Sequence, residues 1–105
     1  MNLSELSEKI HQNAVEKGFW NHVPDVNFVL SKIALIHSEG SEVLEAVRKQ
    51  HGAQSVSEEL VDILIRTLDL YAGMKETYGL PELDSVMDKK MEKNSKRPQM
   101  HGVLA

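Results

Sequence analysis

Acidic side chains recur at intervals of three residues in two stretches of the sequence that are otherwise rich in Ile, Leu and Val. The first stretch contains Glu39, Glu42 and Glu45, and the second contains Glu59 and Asp62. In a helix, residues three apart project from the same face, with Cβ atoms about 5–6 Å apart. Each stretch therefore predicts a pair of carboxylates that project together from a helix.

A hairpin of these two helices is expected to bring the acidic pairs opposite each other. The linker at Gly52-Ala53-Gln54 is short, which favours an antiparallel helical hairpin. Glu42 precedes this linker and Asp62 follows it by similar numbers of residues, so the two pairs can face each other across the hairpin. Carboxylates that meet in this way repel one another, and burying them unpaired costs several kcal/mol each.

A divalent cation would remove this repulsion. An oxygen-only ligand set without histidine or cysteine suits Mg²⁺, with Mn²⁺ as a possible substitute, rather than zinc. The alternative is that the acids lie on ordinary solvent-exposed helix faces. Glu45 is expected to be solvated or to support the ligands, and Glu58 to act as a helix-cap partner.

Hydrophobic spacing and turn residues predict an all-α fold with two long central antiparallel helices. The expected helices cover about 3–17, 24–52, 56–78 and 82–97. Pro24 suits the first turn of the second helix. Ser55 and Glu58 match a capping box at the start of the third. Phe19, in the first connection, is expected in the core.

The third predicted helix is too apolar for one side of a small bundle. Apolar residues from Leu60 to Met74 cover most of its circumference. A helix that is apolar nearly all round is normally buried all round. Four helices cannot easily surround one of their own, so we expect a homodimer or a larger homo-oligomer.

Length and composition are those of a single domain covering 1–105. The 105 residues include no cysteine, which excludes disulfide scaffolds, thiolate metal sites and thiol catalysis. The net charge of −4 argues against non-specific nucleic-acid binding. No signal peptide or membrane-spanning run is found, so a cytoplasmic protein without membrane association is expected.

The carboxylate motifs and their flanking segments resemble the MazG-like branch of the all-α nucleotide pyrophosphohydrolases. That family has Glu-Glu-x-x-Glu on one helix and Glu-x-x-Asp on the next. Here the matching segments are Ser38-Glu39-Gly40-Ser41-Glu42 and Glu59-Leu60-Val61-Asp62. Further matching segments are Lys17-Gly18-Phe19-Trp20, Lys90-Met91-Glu92-Lys93-Asn94-Ser95-Lys96-Arg97-Pro98 and His101-Gly102.

The resemblance implies Mg²⁺-dependent hydrolysis of a (deoxy)nucleoside triphosphate to the monophosphate and pyrophosphate, usually in nucleotide-pool housecleaning. It implies that the metal ligands are Glu39, Glu42, Glu59 and Asp62, with Glu39 or Glu42 accepting the proton of the attacking water. Ser38 stands where the family has its first glutamate, which leaves open the number of ions and the identity of the base. Family members are dimers or tetramers.

Candidate substrate-binding residues flank the acidic motifs. Lys90, Asn94 and Arg97 are expected on one stripe of the fourth helix, within or just before a basic tail at about 95–105. They would bind phosphates, or else form an ordinary solvated helix end. Trp20 would stack on the base or plug the end of the bundle. His37 would contact the base or support the ligands.

Two other functions remain open at this point. Phosphoribosyl-ATP pyrophosphohydrolases share the theme of acidic helices, although the aromatic loop and the Arg-Pro…His-Gly tail favour the nucleoside triphosphate enzymes. A non-catalytic helical oligomerisation or binding module would use the acids for a structural ion or for none.

Overall fold

The computed structural model describes residues 2–98, and this range contains four α-helices and no strand. The helices are α1 (Leu3–Glu16), α2 (Val26–Arg48), α3 (Ala53–Tyr78) and α4 (Leu83–Ser95). The predicted all-α fold is therefore confirmed. Most of the expected basic tail, including His101-Gly102, lies outside the described residues. Within 2–98 no helix combines the length and the apolar character needed to cross a bilayer.

Helices α2 and α3 form the predicted antiparallel hairpin. The hydroxyl of Tyr78, at the end of α3, donates a hydrogen bond to the carbonyl of Pro24, just before α2, at 2.7 Å. Midway along the pair, Arg66 of α3 binds Glu39 of α2. The tight connection between the helices uses a positive φ of 97° at Gly52, which glycine adopts without steric cost.

Helix α3 begins three residues earlier than predicted, so the expected capping box is wrong. Gly52 is the N-cap residue and supplies no side-chain hydrogen bond, while Ser55 and Glu58 lie inside the helix. The glycine at positive φ turns the chain directly into helical geometry at Ala53. Ser55 and Glu58 have the spacing of a capping box, but because the helix begins at Ala53 neither of them occupies the N-cap position.

The start of α2 also differs from the prediction for Pro24. The Asp25 carboxylate caps this helix by accepting the Phe28 N–H at 2.9 Å. Pro24 therefore precedes the cap instead of occupying the first turn. Asp is a strong N-cap residue because its side chain satisfies a backbone donor that the helix leaves free.

Helix α4 is attached to the beginning of α1 by reciprocal hydrogen bonds. The Asp84 carboxylate accepts the backbone N–H groups of Leu3 at 3.1 Å and Ser4 at 3.3 Å. In return, the Ser4 hydroxyl accepts the Asp84 N–H at 3.2 Å. A carboxylate at a helix N-terminus also interacts favourably with the helix dipole.

The apolar core of the single chain is small, and α3 presents much of its apolar surface to solvent. The buried apolar residues are Val29, Ala46, Leu68, Leu70 and Ala72. Four apolar side chains of α3 are between 42% and 52% exposed: Leu60, Val61, Leu64 and Ile65. One chain does not cover this helix, as expected from the sequence; the oligomeric state itself stays a prediction.

The connection between α1 and α2 is anchored by the indole of Trp20, which packs directly on Gly73 of α3. A Cβ added to Gly73 would lie under 3.0 Å from three atoms of the indole ring. The ring is held in place because its Nε1–H donates to the Asp69 carboxylate at 2.9 Å. Position 73 must therefore lack a side chain for the indole to reach Asp69.

We expect Gly73→Ala to destabilise the fold by about 1–3 kcal/mol, because the new methyl group overpacks the fixed indole. Urea denaturation followed by circular dichroism measures the change. Gly40→Ala is the matched control, since its Cβ would meet no atom within 4 Å. Alanine at that helical position is expected to add up to about 1 kcal/mol. Equal effects of both substitutions would contradict the packing described for Trp20.

Candidate metal centre

Three carboxylates of the hairpin meet at one place. Glu39 and Glu42 project together from α2, and Glu59 reaches them from α3, so that one oxygen of each lies within 4.8 Å of the others. The spacing of three on α2 and the antiparallel pairing of the helices together produce this arrangement. It brings together three of the four acids that the sequence indicated as metal ligands.

Glu59 carries the clearest sign that the cluster needs a positive charge. Its Oε2 atom is buried and has no hydrogen-bond partner within the described part of the chain. Burial raises the pKa of the Glu59 carboxyl, and the negative charges of Glu42, Asp62 and Glu39 raise it further. An orphaned carboxylate oxygen among other carboxylates fits a hard divalent cation such as Mg²⁺ or Mn²⁺.

Asp62 borders this cluster without joining it. It lies on α3 one turn after Glu59, its side chain is exposed, and its charge contributes to the raised pKa of Glu59. Glu45 is also outside the cluster, and its carboxylate pairs with Lys49 at 3.2 Å on the solvent side of α2. The expectation that Glu45 is solvated therefore agrees with the structure.

Arg66 contacts the acidic cluster, a contact that the sequence did not predict. The spacing of three residues on α3 would also allow Arg66 to pair with Asp69, but its Nε donates to the Glu39 carboxylate at 2.8 Å. The signal was present in the spacing, since Arg66 follows Asp62 by four residues and so lies on the same face of α3. Asp62 and Asp69 lie on either side of Arg66 on that face, but Arg66 binds Glu39 on the neighbouring helix α2.

Asp69 instead fixes the aromatic connection between α1 and α2. Its carboxylate lies 2.8 Å from Nδ1 of the buried His11 and accepts the Nε1–H of Trp20. The His11 and Trp20 rings meet edge to face with centroids 4.6 Å apart. These contacts pack Trp20 against α1 and α3, and its role in stacking on a base stays a prediction.

Lys32 completes the surroundings of the indole. Its ammonium donates to the carbonyl of Phe19 at 3.0 Å and lies 4.8 Å from the centre of the Trp20 ring. Burial lowers the pKa of this amine, while the nearby Asp69 acts in the opposite direction. A partly desolvated ammonium over an aromatic face is a favourable cation–π arrangement.

The prediction that Phe19 lies in the core is wrong, because its side chain is 60% exposed. Trp20, the residue after Phe19, packs in the interior against Gly73 instead. Phe19 lines a groove of about 390 Å³ that reaches the acidic cluster. The other groove residues are Ile10, Asn13, Ala14, Lys17, Glu39, Asp62, Ile65, Arg66 and Asp69.

The remaining substrate-binding candidates lie on the surface. His37 is exposed on α2, and Lys90 and Asn94 are exposed on α4, with no contact to the carboxylates in the described chain. Arg97 does not share their helical stripe, because α4 ends at Ser95. The proline that follows Arg97 disfavours helical geometry at this position, which accounts for the difference.

Comparison with known proteins identifies the family. The family model described as the MazG nucleotide pyrophosphohydrolase domain matches residues 29–101, which is more than half of the chain. Neither the curated proteins nor the solved structures give a significant match. The matched range includes the three clustered carboxylates, Asp62 and Arg66. The all-α chain with its acidic helical hairpin belongs to the MazG nucleotide pyrophosphohydrolase domain family.

Proposed function

We propose that this nucleotide pyrophosphohydrolase domain hydrolyses (deoxy)nucleoside triphosphates to the monophosphate and pyrophosphate in a Mg²⁺-dependent reaction. The cellular role would be housecleaning of the nucleotide pool in the cytoplasm. The observation that carries the proposal is the buried, unpartnered Oε2 of Glu59 within a cluster of three carboxylates. In a chain of this family, such a cluster is suited to a cation that accompanies a triphosphate.

Glu39, Glu42 and Glu59 would hold the ion, with Asp62 as a fourth acid at the border of the cluster. When bound, Mg²⁺ supplies charge neutralisation for the triphosphate and lowers the pKa of coordinated water. The matching contribution of the chain is to hold several negative charges close together at a half-buried site. Mn²⁺ would substitute because it takes the same oxygen ligands.

The proton of the attacking water requires a carboxylate acceptor. Water adds to the α-phosphorus, the bond to the oxygen bridging the α- and β-phosphorus breaks, and pyrophosphate leaves with that oxygen. Glu42 is the better placed of the two predicted bases, since the Glu39 side chain is only 13% exposed. Glu42 is exposed at the rim of the cluster, where water has access.

The substrate-binding roles of Trp20, His37, Lys90, Asn94 and Arg97 are part of the proposal. Trp20 lies in the connection between α1 and α2 and His37 lies on α2, whereas Lys90 and Asn94 lie on α4 and Arg97 follows its end. Oligomerisation offers a way to bring a basic α4 end toward the acidic cluster of another copy. Cations there would bind the phosphates, with Arg97 able to do so through two parallel hydrogen bonds.

Release of pyrophosphate and monophosphate from a panel of deoxy- and ribonucleoside triphosphates tests the activity directly. We expect pyrophosphate release with Mg²⁺ and none after addition of EDTA. Phosphoribosyl-ATP belongs in the same panel, and its selective hydrolysis would assign the alternative enzyme activity. Orthophosphate release, or no release from any substrate by folded protein, would contradict the proposal.

We expect Glu42→Gln and Asp62→Asn to reduce kcat by about a hundredfold or more, because each removes a negative charge from the proposed ion site. The steady-state pyrophosphate assay measures the loss. Glu58→Gln is the control, as Glu58 is exposed on α3 next to Glu59 and outside the cluster. Near wild-type turnover of either cluster variant would remove that residue from the proposed machinery.

The raised pKa of Glu59 predicts a specific pH dependence of stability without metal. The folded chain retains the Glu59 proton to higher pH than the unfolded chain, whose glutamate pKa is about 4.3. The free energy of unfolding therefore falls as the pH rises from the glutamate pKa of the unfolded chain to the higher pKa of Glu59 in the folded chain. Ionised Glu59 is expected to destabilise the metal-free protein at pH 7.

In EDTA, Glu59→Gln is expected to have a higher Tm than wild type at pH 7, and this difference should shrink as the pH falls toward about 4. Thermal denaturation across this pH range measures both effects. Added Mg²⁺ should raise the Tm of wild type but not of the variant. A variant less stable than wild type at pH 7 in EDTA would show that the carboxylate is not under electrostatic stress.

We also propose that the exposed apolar face of α3 mediates assembly into a homodimer or homotetramer. Leu64, which is 50% exposed near the middle of this face, is the test position. Leu64→Lys is expected to produce monomers because it places a charge in an apolar interface. Light scattering coupled to size exclusion measures the mass. Met91→Lys on α4 is the comparison at another exposed apolar residue, and monomeric wild-type protein would refute the assembly.

A further inference from the structure

A positively charged side chain, that of Arg66, already contacts one of the three clustered carboxylates. The Nε of Arg66 donates to Oε1 of Glu39 at 2.8 Å, and the Glu39 side chain is only 13% exposed. Glu39 also offers an oxygen to the cluster with Glu42 and Glu59. The guanidinium and a divalent cation would therefore need the same half-buried carboxylate.

We propose that Arg66 is a built-in counter-charge that competes with the divalent cation for Glu39 and weakens metal binding to the nucleotide-free site. This inference rests on the proposed metal-dependent function of the cluster. It assigns Arg66 a positioning role: the residue controls how Glu39 is presented to the ion, and it requires no contact with the reacting atoms.

Electrostatics determine the direction of the effect. The Arg66 guanidinium uses a lone pair of Glu39 and neutralises part of its charge, so that Glu39 becomes a weaker ligand. A cation bound to the same carboxylate would also be repelled by the guanidinium at short range. Both effects reduce the affinity of the cluster for a cation as long as Arg66 remains on Glu39.

The structure gives Arg66 the freedom to leave Glu39. Its side chain is 42% exposed on the wall of the groove that also contains Asp62. Within residues 2–98 its two terminal guanidinium nitrogens have no hydrogen-bond partner. Asp62 lies four residues earlier on the same helix face, at a spacing that allows an ion pair. The phosphates of a nucleotide in the groove would be a stronger anionic partner.

This exchange would couple the ion to the nucleotide. A nucleotide that draws the guanidinium away from Glu39 restores the full charge of that carboxylate and so favours cation binding. Without a nucleotide, Arg66 compensates only one of the three clustered carboxylates, Glu39, and leaves the charges of the other two uncompensated. Free cations would then occupy the site weakly, and the ion would bind mainly together with its triphosphate.

Calorimetric titration of nucleotide-free protein with Mn²⁺ tests the competition. Arg66→Gln is expected to bind Mn²⁺ about fivefold or more tightly than wild type, because the competing charge is removed. Arg48→Gln is the matched control, since it removes a positive charge from the exposed end of α2 outside the cluster. Its Mn²⁺ affinity should stay within about twofold of wild type. Unchanged or weaker Mn²⁺ binding by Arg66→Gln would overturn the proposal.

Thermal denaturation in EDTA separates this role from simple structural support. Arg66→Gln is expected to lower the Tm of the metal-free protein, because Glu39 loses its ion-pair partner. The same substitution is expected to tighten Mn²⁺ binding, because the cation no longer competes with Arg66 for Glu39. Arg66→Lys keeps the charge, so its Mn²⁺ affinity should remain close to wild type. A loss of stability without tighter Mn²⁺ binding, or equal tightening in both variants, would contradict the assigned role.

A measurement on wild-type protein makes the test independent of variant folding. In ¹⁵N-labelled protein, the Nε–H signal of Arg66 should shift when Mg²⁺ saturates the site, as the bond to Glu39 is released. An unchanged signal at saturation would overturn the proposal. If wild type hydrolyses nucleotides and the Mn²⁺ affinity of Arg66→Gln equals that of wild type, only the role of Arg66 is rejected. Wild type that neither binds Mn²⁺ nor releases pyrophosphate rejects the proposed function as well.

Discussion

The need to compensate negative charge between the helices governs this structure. Helix α3 turns a face with alternating spacings of three and four residues toward α1 and α2. That face comprises Glu59, Asp62, Arg66, Asp69, Gly73 and Glu76. Asp69 of this face finds its partners on α1 and on the first connection, in His11 and Trp20. Within residues 2–98, Oε2 of Glu59 is the only buried side-chain oxygen or nitrogen without a partner.

The polar face that α3 turns toward α1 and α2 leaves its apolar face exposed to solvent. Because the charged side of α3 faces α1 and α2, residues such as Leu60 and Leu64 are left about half exposed. Exposed apolar surface of this extent on a helix is typical of an interaction surface. The acidic site and the expected assembly are thus two results of the same orientation of α3.

The connection between α1 and α2 shapes the site because Trp20, and not Phe19, packs in the interior. Trp20 fills the space above Gly73 and satisfies its Nε1–H with Asp69, so Phe19 is directed into the groove next to the carboxylates. Lys32 fixes this connection by binding the Phe19 carbonyl. Asp69 therefore links the interior packing to the shape of the groove without touching the acidic cluster.

The sequence by itself determined the elements and most of the acidic site. Hydrophobic periodicity and turn residues were sufficient for four helices, and the spacing of three residues placed Glu39 beside Glu42. Helix boundaries were less well determined. The competing signals at Gly52 and Ser55 differ by only a few tenths to about 1 kcal/mol, and the backbone geometry of the glycine decided between them.

Only the tertiary structure decided which charges pair. From the sequence, Arg66 and Asp69 were neighbours on one helix and formed a plausible pair, whereas the fold gave them separate partners in Glu39 and Trp20. Pair formation depends on which side chains of different helices come within about 3 Å, and periodicity within one helix contains no such distances. The same reason explains Phe19 and Trp20: both are aromatic, and only the absence of a side chain at Gly73 selected which one packs inside.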